Sequence, residues 1–308
     1  MERIVCIVGP TATGKTRLSV ALAQALDAEI VSFDSMQIYR GMDIGTAKPT
    51  KAEMGGVVHH MLDFLDPRED YSVSRYVGDA DRCVQDILSR GKTVILVGGT
   101  GLYVDSLIAG RQFAPFPATG RREELTRLAE TQGIEVVFER LRAVDPEAAA
   151  RIHPSNRKRV IRALEVYLET GKTITEHDRE TRLQPPKYHP VWLGLDYVNR
   201  EALWARIDRR VEEMFSAGLE REVRALLDAG VPSTATSMQA IGYKELAVPG
   251  VESQAAKAEI QLRSRQYAKR QRTWFRRNEA VEWLMLPDAP DFSEIFRCAR
   301  QKLPVFDE

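Results

Sequence analysis

Apolar positions along the chain change their period twice. Residues 3–8 form a short β-branched run, and residues 29–33 and 93–97 repeat that pattern between polar residues and glycines. Unbroken apolar runs of this length predict strands covered on both faces. Leu18, Ala21, Leu22, Ala25 and Leu26 recur at three- and four-residue spacing, which predicts a helix over 15–26. Strands alternating with helices predict an α/β fold over 1–111, a parallel sheet flanked by helices.

Residues 112–185 lose the strand period. The segment FAPFP at 113–117 is a breaker, and helical stripes follow near 121–131, 135–143, 146–152 and 156–169. Asp145-Pro146 reads as an N-cap followed by proline in the first turn, and Gly171 as a helix stop. Gln184-Pro185-Pro186 closes the stretch, and a strand pattern returns over 188–197. An all-helical piece between two α/β pieces predicts an inserted domain at 112–185, with the core resuming at 186–308. In that last part residues 199–302 are mainly helical, with Asn199 as a cap, Gly218 and Gly230 as stops, and a late strand at 281–286.

Composition narrows the classes. The 308 residues are 44% hydrophobic and 29% charged, an ordinary globular balance. Lys+Arg and Asp+Glu each number 44, so bulk charge cannot drive nucleic-acid binding and any such binding needs a local patch. Cys6, Cys83 and Cys298 are far apart, which supports neither a zinc site nor a disulfide framework and fits a reducing compartment. No apolar run approaches the ~18 residues of a membrane span, and the run at 4–8 is too short for a signal segment. A soluble cytoplasmic protein without membrane contact is expected. His59, His60, His153, His177 and His189 show no ligand spacing and are expected to be structural, with His59 and His60 near the cleft.

The octapeptide Gly9-Pro10-Thr11-Ala12-Thr13-Gly14-Lys15-Thr16 fits G-x-x-x-x-G-K-[ST] between a strand and a helix. Its glycines let backbone N–H groups turn inward, the helix N-terminus adds partial positive charge, Lys15 adds a full one, and Thr16 can ligate Mg²⁺. This signature implies a polyphosphate without saying which. A kinase or ATPase of this type also wants an acid after a second buried strand. The 93–97 strand ends in Gly98-Gly99-Thr100 with no acid. The 29–33 strand ends in Asp34, the acid best placed near the phosphates. The long polar loop that follows sits where ligands bind in open α/β sheets.

Several segments together resemble a known family. GPTATGKT at 9–16, FDSMQIYRGMDIGTAKP at 33–49, GGTGLY at 98–103, RALEVY at 162–167, IGYKEL at 241–246 and YAKRQRTWFRR at 267–277 are similar, in order, to the tRNA dimethylallyltransferases. One departure is Thr13, where that family commonly has Ser, another small hydroxyl residue. The resemblance implies transfer of a dimethylallyl group from dimethylallyl diphosphate to N6 of adenosine 37 beside the tRNA anticodon. The loop from Gly9 to Thr16 would hold the diphosphate, with Mg²⁺ at Thr16. A carboxylate accepting an N6 hydrogen would free the amine's delocalised lone pair for attack, a general-base role matched by Asp34. Asp34 could alternatively serve as a Mg²⁺ or hydroxyl partner. Thr100 is expected either to touch the diphosphate or orient Asp34, or to cap the helix near Leu102. Arg206 and Arg210 lie one turn apart, where like charges repel unless an anion sits between them. Of the two, Arg210 matches the family's diphosphate arginine, and a surface pair of Arg209 with Glu213 is expected beside it.

Two basic clusters suggest RNA. Lys257, Arg263, Arg265, Lys269, Arg270, Arg272, Arg276 and Arg277 face a single acid, Glu259, with Tyr267, Trp274 and Phe275 interleaved. That mixture suits phosphate contact and base stacking, the alternative being a long helix whose aromatics face the core. Arg157, Lys158, Arg159 and Arg162 crowd a helix N-terminus, where cations oppose the macrodipole unless an anion is near. The resemblance assigns tRNA contact to Lys158, Arg159, Val160, Ile161 and Arg162, to Asp34, Ser35, Met36 and Gln37, to Thr100, to Gln239, Ala240, Ile241, Gly242, Tyr243 and Lys244, and to Arg122. The expected partners are the tRNA anticodon stem-loop and dimethylallyl diphosphate, with a monomeric chain. The rivals are an adenylate isopentenyltransferase acting on free nucleotides, a P-loop nucleotide kinase, and an RNA-binding ATPase.

Overall fold

The unbroken apolar runs become interior strands of one sheet. The computed structural model describes residues 3–111 and 119–303, so the breaker expected at 113–117 lies outside the described residues. Six strands, β1 (Ile4–Val8), β2 (Ala28–Ser32), β3 (His59–His60), β4 (Thr93–Val97), β5 (Val191–Tyr197) and β6 (Val281–Leu286), form a parallel sheet in the order β3-β2-β4-β1-β5-β6. Ile4, Cys6 and Val8 point into the core on one face and Val5 and Ile7 into that on the other, the period of two that a doubly covered strand requires. The sheet thus draws its last two strands from beyond the helical insert.

Helices α1 (Lys15–Leu26), α2 (Lys51–Met54), α3 (Val73–Ser89) and α4 (Gly101–Ile108) precede the insert. The insert carries α5 (Arg121–Thr131), α6 (Ile134–Val144), α7 (Pro146–Arg151), α8 (Arg157–Thr170) and α9 (Ile174–Leu183). After it come α10 (Arg200–Ala217), α11 (Leu219–Asp228), α12 (Tyr243–Leu246), α13 (Ser253–Phe275) and α14 (Phe292–Gln301). Two compact units result, one of Met1–Gly110 with Lys187–Glu308 and one of Arg111–Pro186.

The insert has its own core of Leu125, Val137, Phe138, Leu141, Val160, Ile161 and Leu164. The cap expected at Asp145 is present: its Oδ1 accepts from Ala148 N at 2.9 Å, with Pro146 in the first turn. The same buried carboxylate accepts from Thr175 N and Oγ1, tying α7 to α9. Helix α9 was not foreseen. Its ten residues, ITEHDRETRL, carry too few apolar side chains for a stripe, and a capping box between Thr173 and Glu176 starts it instead.

In the larger unit, α13 lies against the turn after β4. A Cβ on Gly99 would stand 2.2 Å from Gln271 Nε2, and one on Gly101 would stand 2.2 Å from the Trp274 ring. Trp274 Nε1 donates to Asp105 Oδ2 at 2.8 Å, and Phe275 is buried. Trp274 and Phe275 of this basic helix therefore pack on the core, and Tyr267 is the aromatic that it turns to the cleft. Several cations are equally committed: Arg265 pairs with Asp208, Arg263 with Glu259, and Arg272 and Arg276 both with Asp196.

Asp196 on β5 is fully buried, and its Oδ2 accepts from Arg272 Nε at 2.7 Å and Arg276 Nη2 at 3.1 Å. Replacing both arginines by Met strands a buried carboxylate. Urea titration should show unfolding free energy lower by about 3–5 kcal/mol.

Candidate active site

Strand β1 runs straight into the loop at 9–14, and steric limits fix its glycines. Gly9 has φ +138°, and a Cβ there would stand 2.2 Å from the Leu195 carbonyl oxygen on β5. Gly14 has φ +87° and starts α1 in the left-handed conformation. Thr13 Oγ1 donates to Pro10 O at 3.0 Å, closing the curl. Lys15 Nζ lies along the loop, donating to Gly9 O at 3.0 Å and Pro10 O at 2.7 Å. Burial, then the charge of Arg210, push the Lys15 ammonium down to about 7, while Asp34 pulls it up.

Arg210, on α10, donates to Thr11 Oγ1 at 3.1 Å. Burial holds its guanidinium below the usual range, opposed by Asp34. Arg206, one turn earlier, lines the same cleft and pairs with Glu213 at 3.3 Å. Glu213 thus takes Arg206 rather than the expected Arg209, because positions seven apart share the face turned to the cleft.

Asp34 follows β2. Its Oδ1 accepts from Met36 N at 2.9 Å and Gln37 N at 3.4 Å, and its Oδ2 accepts no hydrogen bond among the described residues. Its negative charge reaches Lys15, Arg210, Tyr103 and Tyr267. Thr100 sits at the N-cap of α4 without capping it. Its Oγ1 instead accepts from Ser35 N at 3.1 Å and bonds Ser35 Oγ at 3.3 Å, so it holds the loop carrying Asp34. Gln37 Nε2 bridges Thr46 O and Ala47 O, each at 3.1 Å.

These residues bound two pockets. One, of about 1050 Å³, runs over the loop from Thr11 to Thr16 past Lys48, His59, Arg206 and Gln271. The other, of about 310 Å³, is lined by Met36, Ile207, Val211, Ile241 and Ile260, with Gln239, Lys244 and Arg270 adding polarity. Thr11, Asp34, Arg210 and Tyr267 belong to both walls. The structure therefore brings together the loop, Asp34, Thr100, Arg210 and the 239–244 segment. Of the histidines, His59 does reach the cleft, whereas His60 Nε2 lies 2.8 Å from Glu29 Oε2.

Not every expected contact residue offers its side chain. Val160 and Ile161 are buried in the insert core, as Ala240 and Tyr243 are in the larger unit. Tyr243 OH instead donates to Glu222 Oε1 at 2.5 Å, and that carboxylate accepts from Asp43, Ile44 and Gly45 N–H groups as well. In the insert, Arg122 and Arg162 both pair with Glu165, while Lys158 and Arg159 are exposed. Sequence reasoning missed Glu222 and Gln271. Gln271 is signalled by its spacing, since Tyr267, Gln271 and Trp274 share one helical face.

A six-stranded parallel sheet flanked by helices, with this loop following β1 and a cation-lined cleft beside a carboxylate, defines an α/β protein. The IPP transferase family model matches residues 37–278, and the chain belongs to that family. It is 46% identical over 298 residues to the tRNA dimethylallyltransferase of Caldanaerobacter subterraneus subsp. tengcongensis, covering 95% of each chain. It is 48% identical over 310 residues to that of Geobacillus thermodenitrificans, covering 98% of each. Among solved structures it resembles the tRNA isopentenylpyrophosphate transferase of Bacillus halodurans, with TM-score 0.73, 42% identity and coverage of 99% and 98%. It also resembles a eukaryotic dimethylallyltransferase acting on tRNA, with TM-score 0.84, 30% identity and coverage of 98% of this chain and 78% of the other.

The Lys15 geometry sets a pH dependence. An arriving polyanion favours the charged ammonium, so binding takes up a proton above the free-state value of about 7. Affinity for inorganic diphosphate should fall by about tenfold per pH unit above 7. Titration calorimetry in buffers of different ionisation enthalpy should register the proton uptake.

Proposed function

We propose that this chain transfers a dimethylallyl group from dimethylallyl diphosphate to N6 of adenosine 37 in tRNA. The observation that carries this reading is the shared wall: a phosphate-type cradle and a second, partly apolar pocket meet at Asp34, Thr11, Arg210 and Tyr267. A donor anchored by its diphosphate in the first pocket would present its allylic carbon beside the carboxylate. The adenine amine would enter through the second.

The chemistry follows from the residues. The bond from C1 of the donor to the diphosphate oxygen breaks, and the electron pair leaves with the diphosphate. Backbone N–H groups of the loop, Lys15 and Arg210 stabilise that charge. The N6 lone pair forms the new bond to C1, and Asp34 takes the N6 proton. Thr16, exposed at the start of α1 and lining the cleft, suits Mg²⁺ held jointly by its hydroxyl, diphosphate oxygens and water. No cluster of three His, Cys, Asp or Glu capable of holding a metal occurs among the described residues, so substrate oxygens would supply the remaining ligands. When bound, Mg²⁺ would offset negative charge on the leaving group.

Phosphoryl transfer is the weaker reading. The turn after β4 holds glycines packed under Gln271 and Trp274, where a kinase would want a carboxylate. For tRNA, Ser35 to Gln37 and Gln239 to Lys244 border the acceptor side, and Arg122 and the Lys158–Arg162 stretch would bind phosphates from the insert. No helix among the described residues is long and apolar enough to cross a membrane, and a tRNA substrate supports a cytoplasmic location.

Incubation with labelled dimethylallyl diphosphate and either tRNA or AMP, with ATP hydrolysis followed in parallel, tests the reading. Label should enter tRNA alone, and phosphate transfer or indifference to the donor would overturn it. Asp34→Ala should lower kcat by about 10²–10⁴-fold while changing the donor KM far less. Replacing Lys158 and Arg159 by Gln removes two exposed cations, so the salt slope of tRNA binding should flatten by about 1–2. An unchanged slope would remove that cluster from the interface.

A further inference from the structure

Among the eight cations clustered along 257–277 sits a neutral, almost fully buried amide, Gln271, with 4% of its surface exposed. Its Oε1 accepts from Thr11 N at 2.9 Å, and its Nε2 donates to Gly99 O at 3.0 Å. One side chain thus joins the loop after β1 to the turn after β4. The next residue, Thr100, holds Ser35 N at 3.1 Å, and Ser35 adjoins Asp34. The other end of the connection is equally placed, because Thr11 Oγ1 receives Arg210.

We propose that Gln271 is a positioning residue: it sets the separation between the diphosphate cradle and the Asp34 carboxylate. The inference rests on the transfer reaction proposed above and adds to it a residue on the wall of the donor pocket whose two amide atoms are both engaged by the backbone. Only an amide of this length meets both ends. Glutamate would keep the acceptor for Thr11 N but turn an oxygen toward the Gly99 carbonyl and bring negative charge to the cradle. Asparagine is one methylene too short to span both. A cation could not accept from Thr11 N at all. Gly99 lacks a Cβ because the amide occupies that space. Lys15 and Arg210, the cations of the cradle, do not bond Gln271, so the loss of the amide should displace Asp34 relative to the donor carbon more than it weakens anion binding. A displacement of about 1 Å at a reacting pair can cost on the order of 10²-fold in rate.

The test compares the full chain with Gln271→Met, Gln271→Glu and Thr100→Val. Turnover is measured with dimethylallyl diphosphate and tRNA, and the Kd for inorganic diphosphate by calorimetry. Gln271→Met should lower kcat by about 10–100-fold while the diphosphate Kd stays within about threefold. Gln271→Glu should lose a similar factor in kcat and also bind diphosphate about tenfold more weakly. Residues acting as one unit are non-additive, so the double variant of Gln271→Met with Thr100→Val should be within about threefold of the worse single variant. Three results would overturn the proposal: kcat retained in Gln271→Met, kcat and diphosphate affinity lost in parallel with a fall in Tm, or rate losses that multiply in the double variant. If the unaltered chain labels no tRNA, the transfer reading itself fails, and the two failures are thereby separate.

Discussion

The seating of α13 on the glycine turn after β4 is the constraint on which the rest of this structure depends. Gly99 and Gly101 leave no room for a Cβ beneath Gln271 and Trp274. That close approach brings Tyr267 and Gln271 to the carbonyl of Gly99 and lets Gln271 reach Thr11. In the same last turns of the helix, Asp196 fixes Arg272 and Arg276 to β5. Part of this cation-rich helix is in this way architecture: Arg265, Arg272 and Arg276 are matched by acids of α10 and the sheet, and Trp274 and Phe275 pack on the core.

The same economy governs the electrostatics of the cleft. A chain with no net charge gathers Lys15 and Arg210 beside Asp34 in the cleft, while Arg206 on the same wall is paired with Glu213. Burial makes Lys15 and Arg210 harder to hold in their charged forms, and Lys15 bonds the loop's own carbonyls. A polyanion in this cleft would offset the charge of those two buried cations.

A second coupling joins the 43–45 loop to α11 and α12. Glu222 accepts from three consecutive N–H groups there and from Tyr243 OH, and Gly45 has no room for a Cβ under the Tyr243 ring. Segments more than 170 residues apart in sequence thus share one support. Motif residues in 239–244 that suggest RNA contact divide accordingly: Gln239 and Lys244 are exposed, Ala240 is buried on the wall of the smaller pocket, and Tyr243 braces the loop.

What the sequence determined by itself was local or periodic. The short apolar strands, the turn imposed by Gly9 and Gly14, the cap at Asp145 and the stop at Gly171 each depend on residues within one or two turns, so the α/β core, the helical insert and the glycine turn ahead of Lys15 were legible. Thr100 was read from its turn after β4 and Arg210 through resemblance; in the fold Thr100 holds Ser35, next to Asp34, rather than capping its helix, and Arg210 donates to Thr11. Tertiary structure alone decided which side chains of α13 turn inward, which cation Glu213 accepts, and that Gln271 and Glu222 tie distant loops together. Each of those outcomes is a contact between residues far apart in sequence, and a charge or an amide carries no periodic signature of the partner it will find.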